Sequence, residues 1–199
     1  MTQYVDLHSH STASDGSLAP EDVVRRAKNL GLVGLSLTDH DTVAGLAAAR
    51  AEAQKLGITF IPGIEISAEY PAPGTMHILG YGVDPASPVL HQLTARLLEG
   101  RDNRNPRLSQ QLNDLGVPVT MDEWQQEAGG NVVGRPHLAA ILVRKGYVSS
   151  VKHAFDKYLG QGAPAYADKE RLSPRQAIQM IQQSGGLVVL AHPIQLKYE

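Results

Sequence analysis

The chain has 199 residues, enough for one substantial domain or for a domain carrying an insertion. Eighteen Lys and Arg stand against 20 Asp and Glu, a net charge of −2 with no basic run, which argues against a protein that grips duplex DNA through its phosphates. Cysteine is absent, so disulfides and thiolate zinc sites are excluded and any metal must be held by His, Asp and Glu.

The first apolar run, Tyr4 to His10, reads as a strand. Side chains alternate along a strand, so His8 and His10 share one face, with Asp15 a few residues on. Pro20 then opens a helix that Glu21 and Asp22 favour at its positive end and Gly31 stops. Val33 to Thr38 is a short buried strand ending in Asp39-His40-Asp41, and Thr42 to Leu56 is an amphipathic helix closed by Gly57. Ile58 to Ser67 is a third strand, bent at Pro62-Gly63 and carrying Glu65; Met76 to Val83 is a fourth, beginning with His77. Alternating strands and helices indicate a parallel sheet or an α/β barrel, and in such barrels residues far apart in sequence meet at one rim.

From Pro88 the pattern becomes helical. Val89–Gly100, Arg101–Gly116, Met121–Ala128, Arg135–Lys145 and Ser149–Leu159 read as helices, with an extended piece at Val117 to Thr120. This is expected to be a helical insertion over the barrel rim. The α/β pattern resumes with a helix from Ser173-Pro174 to Gln183 and a strand, Leu187 to Ala191, that ends at His192. The expected domains are therefore 1–87 and 164–199 for the barrel and 88–163 for the insertion. The start lacks a charged lead and a long apolar core, and no run approaches 18 apolar residues, so a cytoplasmic protein without a membrane span is expected.

Taken in order, His8-x-His10, Asp15, Thr38-Asp39-His40, Glu65, His77 and Ala191-His192-Pro193 resemble the PHP (polymerase and histidinol phosphatase) family. The insertion with Gly134-Arg135-Pro136-His137 is similar to that of the stand-alone bacterial 3′,5′-nucleoside bisphosphate phosphatases, also described as RNase AM. The resemblance implies a distorted (β/α)7 TIM-like barrel with two to three divalent ions at its rim, manganese first and iron, zinc or magnesium also compatible. It implies one ion on His8, His10 and Glu65, a second on Asp15 and His40, and a third on His77 and His192 with Glu65 bridging.

The implied activity is hydrolysis of a nucleotide or short-oligonucleotide phosphate ester by metal-activated water, without a protein nucleophile. Histidinol phosphatase activity and a non-catalytic PHP module are the alternatives. Arg135 is expected to pair two phosphate oxygens, helped by His137. Asp39 and Asp41 are expected to orient or cap rather than to ligate, with Asp6 in a similar part. Two departures from the family pattern stand out. Ala163 occupies a position where relatives carry Lys, leaving Lys157, Lys169 or Arg171 to replace that contact, and a closing Gly-Ser-Asp-x-His type motif is absent, so the chain is expected to be a fragment lacking the last barrel strands.

Overall fold

The computed structural model describes residues 3–71, 74–129 and 132–197. These form two compact units, residues 1–96 with 171–199 and residues 97–170.

The first unit is built on a five-stranded sheet in the order β1 (Val5–Ser9), β2 (Gly34–Leu37), β3 (Thr59–Ala68), β4 (Met76–Tyr81), β5 (Leu187–Leu190). Between the first three strands lie α1 (Pro20–Asn29) and α2 (Leu46–Leu56). α1 has no side-chain cap at Ala19; it rests on Pro20 in its first turn, on Glu21 and Asp22 there, and on Arg26 and Lys28 in its last turn. α2 begins four residues later than the Thr42 start expected from the sequence. The Thr42 hydroxyl accepts the Ala44 amide, and Asp41 has a φ of +56°, so the segment before Leu46 is held as turns. Gly57, at φ +60°, closes α2 in the left-handed conformation that glycine takes without strain.

β1, β2 and β3 are parallel, but β4 runs antiparallel to β3, and β5 antiparallel to β4. The alternation read as a parallel sheet or an α/β barrel thus gives a mixed sheet among the described residues. The cause is length: a parallel crossover needs about a dozen residues or more, and only 69–75 connect β3 to β4. The described residues thus contain a five-stranded half-barrel sheet. β2 is buried along its whole length, and Ile64 and Ile66 of β3 are fully buried, each contributing about 1.5–3 kcal/mol by removal from water. The two edge strands instead expose apolar side chains, Val5 and Leu7 on β1, Leu187 and Val189 on β5.

The helices between β4 and β5 are α3 (Pro88–Asp114), α4 (Met121–Ala128), α5 (Arg135–Arg144), α6 (Val151–Ala154) and α7 (Pro174–Gln183). α3 is one helix of 27 residues where two were expected. Gly100 does not stop it. A Cβ there would stand 3.2 Å from Cβ of Glu170, so the glycine serves close packing. Pro106 also lies inside α3 without ending it. Val117 to Thr120, expected as an extended piece, pairs into no strand; Thr120, extended in backbone, is the N-cap of α4, in a reciprocal capping box with Glu123. α6 passes into a π-helical turn at Phe155–Leu159, so the Ser149–Leu159 helix expected from the sequence is α-helical only in part. The second unit has its own core, in which Leu108, Leu112, Trp124, Leu138, Ile141 and Leu142 are fully buried. Among the described residues no helix is long and apolar enough to cross a membrane.

Candidate metal centre

Reversal of β4 decides which residues meet. His10 follows β1, His40 follows β2, Glu65 lies in the second half of β3, and His192 follows β5. Because β4 runs the other way, its beginning lies at the same rim, with His77 opposite Ser67. Five imidazoles form a closed ring. The ring centroids of His8 and His10 are 5.2 Å apart, His10 and His40 4.6 Å, His40 and His77 4.9 Å, His77 and His192 5.0 Å, and His192 and His8 5.6 Å.

Glu65 stands at the centre of the ring, with its side chain 1% exposed. Its Oε2 is 3.2 Å from Nε2 of His8, 3.2 Å from Nε2 of His10 and 3.1 Å from Nδ1 of His40. Its Oε1 is 3.1 Å from Nδ1 of His77 and 2.9 Å from Nε2 of His192. Asp15 completes the set, Oδ1 3.6 Å from Nδ1 of His10 and Oδ2 3.7 Å from Nε2 of His40. Three donor groups are compact enough to hold one ion each: His8, His10 and Glu65; His10, Asp15 and His40; and His40, Glu65 and His77.

The donor atoms fit divalent cations better than they fit one another. Glu65 Oε2 is buried and near three imidazole nitrogens, yet none of the three contacts has hydrogen-bond geometry. His10 Nδ1, His40 Nδ1 and His192 Nδ1 are buried and likewise lack a hydrogen-bond partner. A buried polar atom without a partner is costly, and a cation between Glu65 Oε2 and the neighbouring imidazole nitrogens would satisfy those that face it. The electrostatics differ from donor to donor. Burial pushes His40 down to about 4, against the attraction of Glu65 and Asp15, so it is neutral and able to ligate at neutral pH. Burial would raise Glu65, but the surrounding histidines outweigh it and hold the carboxyl well below the usual range. For His10 burial acts downward, and the contacts with Glu65 and Asp15 overcome it.

All seven expected ligands, His8, His10, Asp15, His40, Glu65, His77 and His192, thus lie within the first unit and converge. Arg135 and His137 belong to the second unit. Arg135 Nη1 donates to the Leu159 carbonyl, and its guanidinium carbon lies 5.8 Å from the Phe155 ring centroid and 5.5 Å from that of Tyr166. His137 Nδ1 accepts the Gly134 amide at the start of α5.

Asp39 does not orient a ligand imidazole by hydrogen bonding; its carboxylate accepts from Ser11 and Ser14. Asp41 accepts the amide and hydroxyl of Ser67, and Asp6 accepts the amide of His8. Ser11, Ser14 and Ser67 are the residues that sequence reasoning misses. A serine-rich turn signals local structure, but not which distant carboxylate it will serve.

Comparison with known proteins places the chain. The PHP domain family matches residues 6–161. The chain belongs to that family. It is 40% identical over 190 residues to the 5′-3′ exoribonuclease Rnm of Escherichia coli, covering 94% of this chain and 64% of that protein. It is 38% identical over 192 residues to a 3′,5′-nucleoside bisphosphate phosphatase of Chromobacterium violaceum, covering 95% and 66% respectively. The PHP chain therefore spans about two thirds of the length of these relatives. The structure of an amidohydrolase from Chromobacterium violaceum, solved with bound sulfate and no metal, matches with a TM-score of 0.90 at 37% identity, covering 96% of this chain and 67% of that one.

Proposed function

We propose that this PHP chain carries the site of a metal-dependent phosphoesterase acting on nucleotides or on short RNA. The observation that carries the reading is the closed ring of five imidazoles around a buried carboxylate whose Oε2 lacks a hydrogen bond. His8, His10 and Glu65 would hold one divalent ion, Asp15 and His40 a second, and His77 and His192 a third with Glu65 shared. Nitrogen and oxygen donors suit manganese, the proposed ion, and also iron, zinc or magnesium. Bound divalent cations supply Lewis acidity toward phosphoryl oxygens and water.

The side chains of this protein do the rest. Glu65 would supply a shared anion from a buried position, while the histidines around it, 19–31% exposed, leave the centre partly open to solvent. The neutral imidazole of His40 offers a lone pair without first losing a proton. No side chain is assigned as nucleophile. Arg135, steadied between Phe155 and Tyr166 and by the Leu159 carbonyl, is proposed as the substrate-phosphate residue, its planar fork suited to two phosphate oxygens, with His137 as its neighbour. The helical segment 88–163 is proposed as the part that selects the substrate. The names of the relatives, an exoribonuclease and a nucleoside bisphosphate phosphatase, support a nucleotide ester. The sulfate in the Chromobacterium structure is an oxyanion of the same shape as phosphate.

The test is phosphate release from adenosine 3′,5′-bisphosphate with added Mn²⁺, beside a 5′-phosphorylated RNA oligonucleotide, histidinol phosphate and an aryl phosphate. Mn²⁺-dependent turnover led by the bisphosphate or the oligonucleotide is expected. Preference for histidinol phosphate would move the reading to a metabolite phosphatase, and no Mn²⁺-dependent turnover of any of the four would refute it.

A further inference from the structure

Asp39 precedes His40 and is 2% exposed. Its carboxylate reaches back to the turn that follows β1. Oδ1 accepts the Ser11 amide at 2.7 Å and the Ser14 hydroxyl at 2.6 Å, and Oδ2 accepts the Ser11 hydroxyl at 2.7 Å. Gly45 makes room for it: a Cβ there would stand 3.0 Å from Oδ2. Three short, buried, charge-assisted hydrogen bonds to the single turn Ser11–Gly16 are more than a surface loop needs to stay folded.

That turn carries Asp15. The amides of Ser14 and Gly16 both donate to the Ser11 carbonyl, at 3.0 and 2.9 Å, so the turn closes on Ser11. Gly16 cannot be replaced without moving backbone, since a Cβ would fall 2.4 Å from the His10 carbonyl oxygen. Asp15 itself is held loosely by its neighbours. Its carboxylate lies 3.6 and 3.7 Å from His10 and His40, beyond hydrogen-bond range. The Ser14 hydroxyl has a single proton, which belongs to Asp39 at 2.6 Å rather than to Asp15 at 3.4 Å. The direction of the Asp15 carboxylate therefore comes from the backbone of the turn, and the turn is pinned by Asp39.

We propose that Asp39 is a positioning residue that, through Ser11 and Ser14, fixes the turn presenting Asp15 and so sets the affinity of the His10–Asp15–His40 group for its divalent cation. This deepens the proposed function and rests on its reading of that group as a cation site. Asp39 touches no reacting atom. Its effect on the ion is indirect, of the kind by which outer partners of ligands typically change metal affinity by about 10–100-fold.

The test is titration of the metal-stripped protein with Mn²⁺, following free Mn²⁺ by electron paramagnetic resonance, for the parent, Asp39→Asn, Asp15→Ala and the double variant. Asp39→Asn keeps the size of the side chain but turns one acceptor into a donor facing Ser11 or Ser14. It is expected to weaken one class of Mn²⁺ sites by about 10–100-fold and to leave the others nearly unchanged. Asp15→Ala should weaken the same class, and the double variant should lose little beyond Asp15→Ala alone, because Asp39 acts through Asp15. Ser14→Ala, a milder change, should move the same class in the same direction and keeps the test alive if Asp39→Asn fails to fold. Mn²⁺ binding by Asp39→Asn equal to the parent, or losses in the two single variants that simply add, would overturn the positioning role alone. A parent that binds no Mn²⁺ would overturn the function reading with it.

Discussion

Replacement of Glu65 by Gln is the perturbation with the sharpest expected consequence, because that carboxylate belongs to two of the three donor groups. The change keeps shape and one acceptor oxygen but removes the charge. Without metal, it weakens the contacts of Oε1 with His77 at 3.1 Å and His192 at 2.9 Å. Hydrogen bonds to charged groups are worth about 1.5–3 kcal/mol and a neutral acceptor survives, so the metal-free variant should lose about 2 kcal/mol. With metal the difference grows. At a Mn²⁺ concentration 100 times its dissociation constant, the parent gains about 2.7 kcal/mol, which for a chain of this size raises the melting temperature by roughly 5–11 °C. If losing the shared anion weakens binding by about 100-fold, the variant gains only about 0.4 kcal/mol at the same concentration, a shift of about 1 °C. Differential scanning fluorimetry with and without Mn²⁺ reads both numbers. Equal Mn²⁺-induced shifts in parent and variant would refute the reasoning.

Gly16→Ala should lower Mn²⁺ affinity with little change in the urea midpoint of the second unit, since its Cβ would strike the backbone of His10 and Ser11 within the first unit. Trp124 is the only tryptophan and is buried in the second core, so its fluorescence reports that unit. Leu142→Ala, which opens a cavity there, should lower stability by about 2–5 kcal/mol by this signal. Glu52 is held below the ordinary glutamate range by hydrogen bonds from Arg25 and Lys55. A depressed carboxyl contributes stability that is complete above its unfolded value and is lost as pH falls through its folded value. Glu52→Gln should therefore melt below the parent at neutral pH, with the difference shrinking as acid protonates Glu52, and a difference that does not shrink in acid would contradict the ion-pair explanation.

Strand alternation in the sequence put His8 and His10 on one face, and the likeness to the PHP family supplied the rest of the candidate set, whose members lie in, beside or shortly after strands. Their convergence depended on a feature that periodicity does not report. An apolar run looks the same in either direction, so the reversal of β4, which brings His77 to the rim, follows only from the short connection at 69–75. Gly100 misled for a similar reason. As a punctuation mark it ends a helix, but here it is a contact residue against Glu170, and α3 runs on through it. Asp39 and Asp41 accept hydrogen bonds from serines, contacts that the sequence did not disclose. Their partners, Ser11 and Ser14 for one and Ser67 for the other, lie 25 to 28 residues away and carry no pattern that links them.

Cations are proposed to occupy the space around Glu65, and anomalous diffraction from crystals grown with Mn²⁺ tests that most directly. Two or three anomalous peaks are expected within coordination distance of Glu65, His10 and Asp15, with His8, His40, His77 and His192 completing their shells. A map from well-diffracting crystals with Mn²⁺ in excess and no anomalous peak among these side chains would contradict that proposal.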